Sequence, residues 1–239
     1  MYVLVDYDNI PQDVRRNGPR YVADRLCAAL VRDAKNALMN DSRLDMRLYG
    51  GWYFKNSLSQ VAQGLSASLQ ADFPFVITPG SGLPGRAITV AAGLAHALIV
   101  LPRHILYDTF RIRPADGTVA CLHPSTIGCS EATCPMEVVF NFFDIQRCSR
   151  AGCQVTPAGL VRPRGEQKLV DTMLVADLLH LAHVREPAVT VVSSDDDLWP
   201  GIISCMHFGT HAIHVSTKHH HRQPSYLLGV TGKYSRATM

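Results

Sequence analysis

The run Tyr2-Val-Leu-Val-Asp6-Tyr-Asp8-Asn9-Ile10 decides how this chain is read: four apolar residues, then three polar side chains within four positions. A short apolar run bounded by turn-forming residues reads as a strand buried on both faces. Outward from it, 21–39 carries Val22, Leu26, Ala29, Leu30 and Leu38 at helical spacing. Leu44 to Tyr53 alternates as a second strand, Leu58 to Leu69 spaces as a helix, and Phe73 to Thr78 reads as a third strand closed by Pro79-Gly-Ser-Gly82. Strands alternating with helices predict an α/β fold with a central, mainly parallel sheet.

The rhythm blurs over 87–101, which suits either helix or strand, and Ile105 to Ile112 reads as a strand. It returns at Asp171 to His183, a helix with Met173, Leu174, Leu178, Leu181 and Ala182 for its inner face. Ala188 to Val192 is a near-continuous apolar strand, 199–208 a helix stopped by Gly209, and Ala212 to Ser216 a further strand. A chain of 239 residues and 26.3 kDa, 47% hydrophobic and 18% charged, suits one folded domain, here carrying an insertion over 119–157.

The longest apolar run, Ala87 to Leu101, is broken by His96 and shorter than the ~18 residues of a membrane span. No membrane association is expected. Nothing near Met1 resembles an export signal, and seven cysteines cannot all pair within the chain, so a reducing, cytoplasmic setting is expected. A net charge of +3 neither announces nor excludes a nucleic-acid partner, because phosphate binding depends on local clusters of Lys and Arg.

Ligands in open parallel sheets collect beyond the carboxyl ends of the strands. Asp6 and Asp8 lie just past the first strand, and Asp195, Asp196 and Asp197 just past the strand 188–192. Asp171 opens a helix whose dipole favours a carboxylate there. Crowded carboxylates repel one another unless a cation compensates, so such a group is expected to bind a hard divalent ion, Mg²⁺ or Mn²⁺. Metal held in this way suits phosphodiester hydrolysis. Each motif taken singly is also what turns and helix caps use; the weight lies in three of them sharing one strand-to-helix register.

Three stretches, Val3-Leu-Val-Asp6-Tyr-Asp-Asn9-Ile10, Lys168-Leu-Val-Asp171-Thr172 with Asp177, and Val191-Val-Ser-Ser-Asp195-Asp-Asp197-Leu-Trp-Pro200, resemble the NYN domains, which are PIN-like nucleases. The resemblance covers the first strand and roughly 166–216. It implies a Rossmann-like, PIN-like three-layer domain and a metal-dependent nuclease acting on RNA in preference to DNA. By position it assigns Asp6, Asp171, Asp195 and Asp197 to the metal. Asn9, Thr172 and Ser194 support them, with Asp177 in the second rank because six helical residues turn it away from Asp171. Asp8 and Asp196 fall where the family pattern is loose.

Cys129-x4-Cys134 and Cys148-x4-Cys153, with Cys121 and His123 upstream, suit a closed tetrahedral site for structural Zn²⁺ that would brace the insertion. Buried reduced thiols beside Val138, Val139, Phe140, Phe142 and Phe143 are the plainer alternative. Arg162, Arg164 and Lys168 run into Asp171 and are candidates to grip a phosphate backbone, with Arg147 and Arg150 inside the insertion. Lys218-His-His-His-Arg222 reads as a polar loop, Cys27 and Cys205 as buried small hydrophobes, and Trp52 and Tyr53 as core aromatics in preference to base-stacking platforms.

Two other readings stay open. An apolar strand ending in Asp6-Tyr-Asp8 also resembles the nucleophile loop of haloacid dehalogenase-type phosphatases, with Asp6 as nucleophile, although Ile10 stands where that pattern wants a small hydroxyl residue. The other is an inactive RNA-binding or adaptor module. A homodimer, or a protein partner held through the insertion, is compatible with either.

Overall fold

The computed structural model describes residues 1–34, 41–77, 87–112, 131, 133–157, 165–167, 169–218 and 233–239. These fall into two compact units, one of 1–110 with 167–239, the other of 111–166. In chain order the strands are β1 (Tyr2–Asp6), β2 (Arg43–Tyr49), β3 (Tyr53–Phe54), β4 (Ser57–Leu58), β5 (Phe75–Ile77), β6 (Ile88–Leu94), β7 (Phe110–Ile112), β8 (Gly165–Gln167), β9 (Ala188–Val192), β10 (His211–Ser216) and β11 (Tyr234–Thr238). The helices are α1 (Gln12–Arg15), α2 (Gly18–Asp33), α3 (Gln60–Asp72), α4 (Pro135–Asp144), α5 (Val170–His183) and α6 (Trp199–His207).

Seven strands form the main sheet in the order β11-β10-β9-β1-β2-β6-β5. All neighbours are parallel except β5 and β6. Alternation along β1 builds two cores. Val3 and Val5 pack with Val22, Leu26 and Leu30 of α2 and with Leu65 and Leu69 of α3. Leu4, on the opposite face, packs with Leu174 and Leu178 of α5 and Ile202 of α6. A strand covered on both faces is apolar at nearly every position, and Val3, Leu4 and Val5 are all fully buried. Helices therefore cover both faces of a mainly parallel sheet.

Several boundaries differ from expectation. The strand expected over 73–78 is β5, but it runs antiparallel to β6 at the sheet edge, and β6, taken from the ambiguous run 87–101, fills the parallel place beside β2. Only residues 78–87 join β5 to β6, too few for the dozen or more that a parallel crossover needs. The strand expected over 44–53 stops at Tyr49, and Tyr53 begins a hairpin of β3 with β4 instead.

The strand expected over 105–112 reduces to β7, its first residue Phe110 paired with Phe54. The second helix begins at Gly18 and ends at Asp33; the expected extension through Leu38 falls outside the described residues. Gly209 takes φ +95° directly after Phe208, the left-handed stop that the sequence implies.

In the smaller unit, α4 follows Cys134 with proline in its first turn, and none of its residues is buried. No helix among the described residues is long and apolar enough to cross a membrane.

Candidate functional site

Strand order locates the crevice. From β1 the chain moves to β2 on one side of the sheet, and from β9 to β10 on the other. The helix after β1, α2, lies on one face, while the helix after β9, α6, lies on the other. The chain thus leaves β1 and β9 towards opposite faces, which makes this pair the topological switch point, beyond whose carboxyl ends open α/β sheets bind ligands. Val5 is level with Val192 in the register, so Asp6 and Ser193 emerge side by side.

Ser193 ties the two loops together. Its hydroxyl donates to Asp6 Oδ2 at 2.9 Å and accepts from the Asp195 backbone N–H at 3.0 Å. Asp195 Oδ1 in turn accepts from the Asp197 N–H at 3.0 Å, capping the short turn Asp196–Leu198. Asp6 is 5% exposed, and burial pushes its carboxyl up to about 6. The Asp171 and Asp8 charges push the same way, against the hydrogen bonds from Ser193 and the Asn9 backbone N–H. Asp171, in the first turn of α5, is exposed at its surface but loses part of its hydration to the surrounding protein, which raises its carboxyl, and the Asp195 and Asp197 charges raise it further.

Asp6, Asp171, Asp195 and Asp197 are thus electrostatic neighbours, delivered from β1, α5 and the loop after β9. Their donor chemistry, carboxylate oxygens only, fits a hard divalent cation. As the side chains stand, no three His, Cys, Asp or Glu among the described residues are grouped closely enough to hold a metal ion.

Asn9 braces the β1 loop. Its Oδ1 accepts from the Ser194 N–H at 3.0 Å and from Thr217 Oγ1 at 2.8 Å. Ser194 Oγ accepts from the N–H groups of Thr217 and Lys218 at 2.9 and 3.1 Å and lies 3.0 Å from Ser216 Oγ. Thr172 is exposed on the first turn of α5, beside Asp171.

The two aspartates of loose pattern are engaged elsewhere. Asp8 Oδ1 meets Arg15 Nη1 at 2.6 Å, and its other oxygen accepts from the Gln167 amide. Asp196 Oδ1 accepts from Trp199 Nε1 at 3.2 Å.

Asp177 lies away from the cluster as a structural hub. Completely buried, it accepts from Tyr49 Oη at 2.6 Å and from the Ile99 N–H at 2.7 Å, with Arg47 Nη2 at 3.4 Å. Arg47 also donates to the Ala97 carbonyl, so this group fastens the segment after β6 to α5 and β2. Burial and the Asp177 charge keep the Tyr49 hydroxyl firmly protonated.

Trp52 and Tyr53 are core residues; Trp52 Nε1 donates to the Leu48 carbonyl at 2.8 Å and its ring meets Tyr7. Burial raises Cys27 to about 12 and Cys205 to about 11, so both are unreactive thiols in the core. Cys134, Cys148 and Cys153 are free and partly buried within the smaller unit. Cys121, His123, Cys129, Arg162, Arg164, Lys168 and the histidines 219–221 lie outside the described residues.

Ser193, Ser216 and Thr217 did not stand out in the sequence. Serine and threonine at strand ends are common, and only the β1–β9–β10 register brings Ser193 to Asp6, Thr217 to Asn9 and Ser216 to Ser194. Comparison with known proteins yields no relative: no family model matches the chain, and neither a curated protein nor a solved structure gives a significant match.

Proposed function

We propose that the chain is a divalent-cation-dependent nuclease, acting on RNA in preference to DNA, with Asp6, Asp171, Asp195 and Asp197 holding Mg²⁺ or Mn²⁺. One observation carries the reading: three separate segments deliver carboxylates to the switch-point crevice, where burial and mutual repulsion raise the proton affinity of Asp6 and Asp171. A group that repels itself when ionised is relieved by a cation. The resemblance of the three motifs to NYN domains supports the same four residues and the preference for RNA.

A bound cation supplies polarisation of a phosphoryl oxygen and a lowered pKa for attacking water. The protein's part is placement. Ser193 holds Asp6 and the Asp195 backbone in fixed relation, while Asn9 anchors the β1 loop to the ends of β9 and β10. Asp171 is exposed on the first turn of α5 and is proposed to meet the substrate, while Asp6 is buried. Arg162, Arg164 and Lys168, leading to Asp171, are proposed to grip backbone phosphates. In the insertion, Cys129, Cys134, Cys148 and Cys153 are proposed to hold structural Zn²⁺.

The phosphatase alternative asks for a free Asp8, and Asp8 is engaged by Arg15 and Gln167. The test of the nuclease reading is incubation with single-stranded RNA, duplex RNA and single-stranded DNA in Mg²⁺, Mn²⁺ or chelator. RNA cleavage that needs the metal and falls at least about a hundredfold in Asp195→Asn is the expected result. Undiminished cleavage by Asp195→Asn in a clean preparation would remove the assignment, and RNA binding without cleavage would favour the adaptor reading.

A further inference from the structure

Where α1 and α2 face the residues that follow β10 and β11 lies a cleft of about 430 Å³ that none of the proposed catalytic groups lines. That size is within the ~300–1,000 Å³ usual for ligand pockets. Its walls include Val14, Asn17, Tyr21, Arg25, Thr217 and Met239. Asn17, Tyr21 and Arg25 are spaced by four residues, so they form one stripe along the start of α2. Tyr21 leaves 39% of its surface open. Arg25 makes no ion pair among the described residues, unlike Arg15, Arg20 and Arg32, which are paired with Asp8, Asp24 and Asp33.

The cleft is joined to the acids through a single residue. Thr217, in its wall, donates to Asn9 Oδ1 at 2.8 Å, and the Asn9 backbone N–H donates to Asp6. An aromatic ring, a guanidinium with no ion pair among the described residues, and amide and hydroxyl groups beside Val14 and Met239 form a set suited to a base taken out of its stack. Asp13, also in the wall, adds an acceptor for base N–H groups and disfavours occupation by phosphate alone.

We propose that this cleft seats one unpaired nucleotide of the substrate strand, its base against Tyr21 and its polar edge or phosphate on Arg25, immediately beside the bond to be cut. The proposal rests on the nuclease reading and deepens it, because it makes single-stranded RNA the substrate class. A duplex must first break pairing and stacking to fill the cleft.

The experiment measures binding of a short fluorescein-labelled oligouridylate to the full chain in chelator, by anisotropy, and its cleavage in Mn²⁺. The variants are Tyr21→Ala, Arg25→Ala and, as control, Arg43→Ala. Tyr21 and Arg25 are exposed, so their removal spares the core. Arg43 begins β2, at the amino-terminal ends of the parallel strands and away from the residues that line the cleft, with its side chain 62% exposed. Tyr21→Ala and Arg25→Ala are each expected to weaken binding roughly tenfold and to raise KM with kcat unchanged. Arg43→Ala should bind as wild type, and a blunt RNA duplex should bind more weakly than the single strand.

Wild-type binding by Tyr21→Ala and Arg25→Ala, or an equal loss in Arg43→Ala, overturns the proposal. If the chain cleaves RNA with no dependence on the cleft, the cleft assignment falls and the hydrolytic reading stands. If binding depends on the cleft but no metal-dependent cleavage occurs, the hydrolytic reading falls and the cleft stands. If the chain neither binds nor cuts, both fall.

Discussion

Replacing Asp6 by asparagine should make the metal-free protein more stable. The carboxyl is buried and raised from 3.8 to about 6, so in the window between those values the folded chain holds a proton that the unfolded chain has released. Stability contributed by the protonated form is complete below the unfolded value and is lost as pH rises through about 6. At roughly 1.4 kcal/mol per unit, the ionised side chain costs about 3 kcal/mol near neutral pH. Asparagine keeps an oxygen to accept from Ser193 Oγ but loses one acceptor position, at a cost of about 1 kcal/mol.

The net gain is about 2 kcal/mol, or roughly 5 °C in Tm for a chain of this size. Urea and thermal unfolding in chelator, near neutral pH and again near the unfolded carboxyl value, measure it. The advantage of Asp6→Asn should shrink towards acid, and Mn²⁺ should stabilise the wild type more than the variant, as binding to the folded state requires. If Asp6→Asn is no more stable than wild type in chelator at neutral pH, the argument from burial and repulsion is wrong.

Asp177→Ala leaves the Tyr49 hydroxyl, the Ile99 N–H and Arg47 without their shared acceptor, and should cost about 3 kcal/mol in urea unfolding. Leu4→Ala opens a cavity beneath α5 and α6 and should cost about 2–5 kcal/mol by the same measurement. Loss below 1 kcal/mol for either would contradict the packing described. Elemental analysis of the purified protein should find about one zinc per chain, removed when Cys148 and Cys153 are replaced together.

The acid-bearing strand ends were legible in the residues because β1 and β9 are buried on both faces. Burial there demands nearly unbroken apolar runs, interrupted in β9 only by the buried Thr190, and Asp6 and Ser193 mark where those runs end. The helices of the main unit were legible for a similar reason, since α3, α5 and α6 each show apolar positions at the helical period. The edge was harder. Phe75-Val-Ile77 has the composition of a strand whichever way it runs, and only the short connection to β6 turns it antiparallel.

Side-chain roles needed three dimensions for a different reason. Asp8, Asp177 and Asp196 look like Asp6 and Asp195 on paper, because an aspartate's chemistry depends on what surrounds it. Arg15, Tyr49 with Arg47, and Trp199 engage the first three; Tyr49 with Arg47 is distant in the chain from its acid. The sequence by itself determined the parallel sheet, the two buried faces and the group of acids at the strand ends, since local period and burial demand follow from residue order. Only the tertiary structure decided which acids are engaged by other side chains, that Ser193 joins Asp6 to Asp195, and that Thr217 links the Tyr21–Arg25 cleft to Asn9. Contacts between residues far apart in the chain depend on register and crossover, which no local pattern encodes.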